Sequence, residues 1–328
     1  MSALVSAPGS LPTGPLRTLP AIVGPTAAGK SALALAVAEQ VGAAILSADS
    51  RQLYRGFDLG TAKPSPGEQA RVPHFGVDVA EPTERWSAAH WAEACEGWIA
   101  DCDRRGLTPL LVGGTGLYLR ALAEPLFAEP ALDTDRRARL AAVLDAMPVD
   151  ALRRWVAVLD PARAHLQRTQ LLRALEVALL TGERISALHA QHARPARFAL
   201  RYLVVDPGPV LAERIAVRVD TMLAAGWLEE VRALVTRVPA GAPAWQSTGY
   251  DVWRAHLEGV LPFAAARERV VIDTRQYAKK QRTWFRHQLG ASPVVRLDPG
   301  APGALDAALA WWRSSAAHIP APRHEDAA

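Results

Sequence analysis

Residues 24–31 read GPTAAGKS and fit the pattern G-x-x-x-x-G-K-[ST]. No other stretch restricts the fold of this chain so tightly, because the pattern works only between a strand and a helix. Both are present: Leu19, Ala21, Ile22 and Val23 form an apolar run before it, and residues 32–41 read as a helix after it. In that setting the loop Gly24, Pro25, Thr26, Ala27, Ala28 and Gly29 turns backbone N–H groups inward, and the helix N-terminus adds its positive partial charge. Lys30 reaches outer phosphate oxygens, and the Ser31 hydroxyl is a ligand for Mg²⁺. The expected architecture is therefore α/β, a P-loop NTPase-like parallel sheet flanked by helices. The loop binds a phosphate chain without saying whose.

Later strands point to the same edge. Residues 43–46 read as a second parallel strand that delivers Asp49 at its carboxyl end, where ligands sit in open α/β sheets. A carboxylate there serves as a base or a Mg²⁺ contact, with a helix N-cap as the plain alternative. A Gly/Pro-punctuated loop with Gln52, Tyr54, Thr61 and Lys63 follows. Residues 87–105 read as a helix whose Trp91 and Trp98 recur with Cys95 and Ile99 at helical spacing, which marks them as core. The strand at 109–113 runs into GGTGLY and places Thr115 on the ligand edge.

From 124 to 197 the texture becomes Arg/Ala/Leu-rich and helix-forming, with helices expected at 135–147, 150–158 and 170–180. This reads as an all-helical insertion domain that divides the core into 19–123 and 198–315. Residues 1–18 and 316–328 read as a disordered extension and a flexible tail. A strand returns at 200–206, and 211–235 reads as one helix with Arg214 and Arg218 a turn apart. In a long helix at 264–289, Arg275, Lys279, Arg282 and Arg286 share one face, with Gln276, Tyr277, Gln281 and Trp284 alongside. Such a stripe suits an RNA backbone and its bases, and equally a solvated face.

Composition narrows the classes. The formal charge of +4 permits an RNA or phosphate partner. Two cysteines, Cys95 and Cys102, cannot build a disulfide framework or a thiolate zinc site. No segment resembles a signal peptide or a membrane span, so a soluble, cytoplasmic, monomeric protein is expected. Of 37 basic residues only Lys30, Lys63, Lys279 and Lys280 are lysine. Lysine and arginine differ wherever a compact charge must fit a tight pocket, so Lys63, Lys279 and Lys280 are suspects beside Lys30.

Taken together, the motifs resemble the tRNA dimethylallyltransferase family. GPTAAGKS, ADS-x-Q-x-Y-x-G at 48–56, DLGTAKP at 58–64, LVGGTGLY at 111–118, RALEV at 173–177, RIAVR at 214–218, GY at 249–250 and TRQYAKKQRTWFR at 274–286 occur in the family's order. The resemblance implies transfer of a dimethylallyl group from dimethylallyl pyrophosphate to N6 of adenosine-37, in the anticodon loop of tRNAs that read codons starting with U. It implies Mg²⁺ as cofactor and the anticodon stem-loop as partner. Asp49 would be the general base, Thr115 would contact the reacting region, and Lys30, Arg214 and Arg218 would neutralise pyrophosphate. Asp49, Ser50, Arg51, Gln52 and Thr115 would touch tRNA, as would Arg137, Thr169, Gln170 and Arg173. Gln246, Gly249 and Tyr250 would join them, with Lys279, Lys280, Gln281, Arg282, Trp284 and Arg286. Three positions depart from the family's pattern. Gln170 stands where an arginine is expected, with Arg168 a possible substitute; Asp251 follows GY; and Phe75 replaces a basic residue. A P-loop small-molecule or nucleoside kinase, with the insertion as lid, would use the same loop and Asp49. A noncatalytic RNA-binding module would explain only the basic helix.

Overall fold

The computed structural model describes residues 16–124, 132–191 and 195–316. The expected tail and most of the N-terminal extension lie outside these residues. Six parallel strands form the core: β1 (Arg17–Val23), β2 (Ala43–Ser47), β3 (His74–Phe75), β4 (Thr108–Gly113), β5 (Phe198–Val205) and β6 (Val294–Leu297). Their spatial order is β3-β2-β4-β1-β5-β6. β1 begins two residues inside the stretch expected to be an extension, because Arg17 and Thr18 pair with Phe198 and Ala199 of β5. Ala21, Ile22 and Val23 are fully buried between Leu111 to Gly113 of β4 on one side and Tyr202 to Val204 of β5 on the other. That is why the inner strands read as continuous apolar runs rather than alternating ones. Each such aliphatic side chain contributes about 1.5–3 kcal/mol on burial.

Helices α1 (Lys30–Val41), α2 (Pro66–Arg71) and α3 (Ala88–Arg104) connect the first four strands, and α4 (Gly116–Ala123) follows β4. α1 ends where Gly42 takes a left-handed φ of 65° and returns its N–H to the Ala38 carbonyl. Its face of Leu33, Ala34, Val37 and Ala38 packs in one cluster with Trp311 and Trp312. Ser87 caps α3 by accepting the His90 N–H at 3.0 Å. Trp91 on α3 is fully buried and stacks on Tyr118 with ring centroids 4.8 Å apart.

The helical segment holds α5 (Thr134–Asp145), α6 (Val149–Leu159), α7 (Arg168–Thr181) and α8 (Ile185–Gln191). Residues 124–195 form one compact unit and 1–123 with 196–328 another. The smaller unit has its own core, in which Leu144, Leu152, Val156, Leu171, Leu175 and Ile185 are buried together.

The chain then continues through α9 (Leu211–Ala224), α10 (Trp227–Val235), α11 (Tyr250–Leu257), α12 (Phe263–His287) and α13 (Ala304–Ala316). The stretch 211–235, expected as one helix, is two. Gly226 sits at φ 99° and breaks it, since that left-handed geometry ends one helix and starts the next at little cost only for glycine. Among the described residues no helix is long and apolar enough to cross a membrane.

Candidate active site

The carboxyl ends of β1, β2 and β4 open onto a cavity of about 410 Å³. Its floor is the 24–31 loop. Gly24 lies so close to the Val205 carbonyl of β5 that a Cβ would collide with it. The Pro25 carbonyl accepts from the Ala28 N–H and from Lys30 Nζ, both at 3.3 Å. Ala27 at φ 61° and Gly29 at φ 90° bend the loop around the helix start, the geometry that turns amides inward. Thr26, Ala27, Gly29, Lys30 and Ser31 line the cavity, while Ala28 is buried beneath them.

Charge in this cavity is uncompensated. Lys30 is held down to about 8, chiefly by burial; Asp49 opposes that shift and Arg218 adds to it. Burial also lowers Arg218, against the pull of Asp49. Lys30, Arg51 and Arg218 thus outnumber Asp49 and Glu68 around the cavity, a balance that favours an anion. α9 supplies more than charge: Ile215, Arg218, Val219 and Met222 fall at i, i+3, i+4 and i+7 and all face the cavity. With Trp227 they give it an apolar wall beside its cationic floor. Arg214, one turn earlier, flanks the loop from outside, 3.5 Å from the Ala28 carbonyl.

Asp49 lines the cavity from the end of β2, and its Oδ1 accepts the Arg51 N–H at 2.9 Å. Thr115 follows β4 beside the turn that carries Asp49. Its N–H goes to the Ala48 carbonyl and its Oγ1 accepts the Ser50 N–H, both at 3.0 Å. It clamps the turn that presents Asp49. Tyr277, on α12, lines the cavity. Burial, then the Asp49 carboxylate, pushes its hydroxyl up to about 12, so it stays a donor. The sequence reading set Tyr277 only beside the basic stripe; its position one turn before Gln281 was the available signal.

Other expected contacts divide. Arg51, Gln52 and Ser47 lie at the cavity, but the Gln52 amide is used internally, donating to the Ala62 carbonyl at 2.9 Å and accepting from Ser47 Oγ at 2.8 Å. Lys63 is a staple rather than a ligand, bonded to Asp58 at 2.7 Å and Asp78 at 2.5 Å with its side chain 4% exposed. Tyr250 is fully buried; its hydroxyl donates to Glu230 at 2.5 Å and accepts the Gly60 N–H at 3.0 Å. Gly249 caps α11 against the Trp227 ring. These two are therefore packing residues, whereas Gln246 is exposed.

On α12, Lys279, Lys280 and Arg286 are exposed, so the tight lysine sites expected there do not exist. Arg282 leaves the stripe: it bonds Asp206 at 2.5 Å and the Gly208 carbonyl. Gln281 is buried, and Trp284 covers Gly116. Within the helical unit, Arg137 and Arg173 both close on the buried Glu176 at 3.0 Å. Gln170 caps α7, accepting the Gln167 N–H at 3.2 Å, and Thr169 beside it is exposed. Arg168 is no substitute for a phosphate-binding arginine, since it donates to the Met147 and Asp145 carbonyls at the end of α5.

The donor set suits a hard cation. The Ser31 hydroxyl and the Asp49 carboxylate line the same cavity, and both are oxygen ligands. Among the described residues no group of three or more His, Cys, Asp or Glu is placed to hold a metal. A Mg²⁺ here would take its remaining ligands from phosphate oxygens and water.

A protein-family model described as IPP transferase matches residues 52–288, and one described as isopentenyl transferase matches 17–72. The chain belongs to the IPP transferase family. Similar members include the tRNA dimethylallyltransferase of Geobacter metallireducens, 42% identical over 299 residues, covering 88% of this chain and 94% of the relative. That of Halorhodospira halophila is 44% identical over 277 residues, covering 81% and 89%. Among solved structures, the tRNA isopentenylpyrophosphate transferase of Bacillus halodurans superposes with a TM-score of 0.65 at 31% identity, covering 91% of this chain and 96% of the other. A eukaryotic dimethylallyltransferase solved acting on tRNA gives a TM-score of 0.74 at 24% identity over 94% and 81%, a likeness of fold. The phosphate loop thus belongs to an IPP transferase scaffold rather than to a kinase.

Proposed function

We propose that this chain transfers the dimethylallyl group of dimethylallyl pyrophosphate to N6 of adenosine-37 in tRNAs that read codons starting with U, releasing pyrophosphate. The observation that carries this reading is the mixed lining of one cavity: Lys30, Arg218 and the phosphate loop share it with Ile215, Val219, Met222 and Trp227, and Asp49 lines it too. A prenyl pyrophosphate has that same division of charge and apolar bulk. The relatives named above as tRNA dimethylallyltransferases support the choice of donor and acceptor.

N6 attacks the allylic carbon; the nitrogen–carbon bond forms as the carbon–oxygen bond to pyrophosphate breaks. The adenine amine is a poor nucleophile because its lone pair is delocalised, so Asp49 takes the N6 proton. The leaving pyrophosphate gains charge against Lys30, Arg218 and the loop, where stabilisation acts on the transition state. Mg²⁺ held at Ser31 would supply further neutralisation of that charge. Thr115 holds the Asp49 turn in place. The target base must leave its stack, which costs least in an unpaired loop. The anticodon stem-loop would lie against the exposed Lys279, Lys280 and Arg286. This reading places the protein in the cytoplasm as a monomer. Its test is donor choice: Mg²⁺-dependent binding of dimethylallyl pyrophosphate, with no ATP hydrolysis stimulated by tRNA. Stoichiometric ADP release would instead establish the kinase reading.

A further inference from the structure

The chemistry divides into two halves. The pyrophosphate cradle follows β1, while Asp49 and the Thr115 turn that clamps it follow β2 and β4. Prenyl transfer requires a fixed distance between these halves, since misplacing reacting atoms by about 1 Å can cost on the order of 10²-fold in rate. One side chain joins them. Gln281 Oε1 accepts the Thr26 N–H at 2.8 Å, and Gln281 Nε2 donates to the Gly114 carbonyl at 3.0 Å. Gln281 is 6% exposed, and a Cβ on Gly114 would collide with Nε2. A buried amide bonded within the fold through both its oxygen and its nitrogen acts as a rigid strut, and its burial leaves it poorly placed to read an RNA base.

We infer that Gln281 is a positioning residue that fixes the phosphate loop against the Gly114–Thr115 turn, and so sets the base-to-leaving-group distance, rather than an RNA contact. The inference rests on the prenyl-transfer reading, which the prenylation activity of the wild-type protein tests separately. The experiment measures dimethylallyl pyrophosphate affinity, anticodon stem-loop affinity with its salt slope, and single-turnover rate for Gln281→Met, Gln281→Glu and Gly114→Ala. Gln281→Met keeps length and packing but loses both bonds. We expect it to weaken donor binding about ten-fold and slow turnover, with RNA affinity and salt slope within about two-fold of wild type. Gln281→Glu still accepts from Thr26 but cannot donate to Gly114, so its donor affinity falls between the two. Gly114→Ala displaces the amide from the other side and reproduces the Met phenotype, which separates lost positioning from a change specific to residue 281. Weakened RNA binding with donor affinity intact, or equal losses in both, would overturn the assignment.

Discussion

The cavity at the end of β1 and the helical unit of 124–195 both gather cations around a single carboxylate, and they do so to opposite ends. In the helical unit, Arg137 and Arg173 close on Glu176 at 3.0 Å, and the charge is spent within the fold. In the cavity, Lys30 and Arg218 lie half-buried near Asp49, and among the described residues neither forms an ion pair. Partly desolvated cations without partners favour a bound anion. Paired charge therefore marks architecture in this molecule, and unpaired cavity charge marks the site.

The contrast breaks first at Asp49. We expect Asp49→Asn to lower single-turnover prenylation by roughly 10²–10⁴-fold while leaving stem-loop binding nearly intact; a near-normal rate would remove Asp49 from the role of base. Glu176→Gln is the matching change in the helical unit. It leaves two arginines facing a neutral amide and should cost about 1–3 kcal/mol in chemical unfolding, discounted because Arg137 is half exposed. Donor affinity should not move.

Acidity sharpens the comparison further. Lys30, held to about 8, carries its charge below that pH and loses it above. Pyrophosphate binding needs that charge, so donor affinity should be level below about pH 8 and fall about ten-fold per unit above it. Between about 8 and the ordinary lysine value the unfolded chain holds a proton that the folded protein lacks, so the unliganded protein gains stability over the same window. A titration of donor affinity alongside thermal unfolding reads both signs. The smallest effect concerns α12. Lys279→Ala and Lys280→Ala should each flatten the salt slope of stem-loop binding by about 0.7–0.9, whereas Arg282→Ala should leave the slope unchanged because its guanidinium is held by Asp206.

The cavity floor was legible because GPTAAGKS dictates its own backbone, and Asp49 because a strand end fixes where it points. Arg218 was legible only through the resemblance; its cavity-facing neighbours Ile215, Val219 and Met222 read simply as helix. The failures have one physical source. Periodicity shows which residues share a helix face, not what the opposite wall offers them. Arg282 and Gln281 both lie on α12, yet Asp206 claims one and the phosphate loop claims the other, across 76 and 255 residues of sequence. Gly226 was equally visible as a letter, but only its left-handed φ splits α9 from α10.

The central claim is that unpaired charge beside an apolar wall makes this cavity a prenyl-pyrophosphate site. The most direct test offers the purified protein Mg²⁺, an anticodon stem-loop, and dimethylallyl pyrophosphate together with ATP, followed by mass spectrometry of the digested nucleosides. The account predicts one five-carbon unit on N6 of the adenosine at position 37 and no consumption of ATP. An unmodified adenosine accompanied by ADP would contradict it.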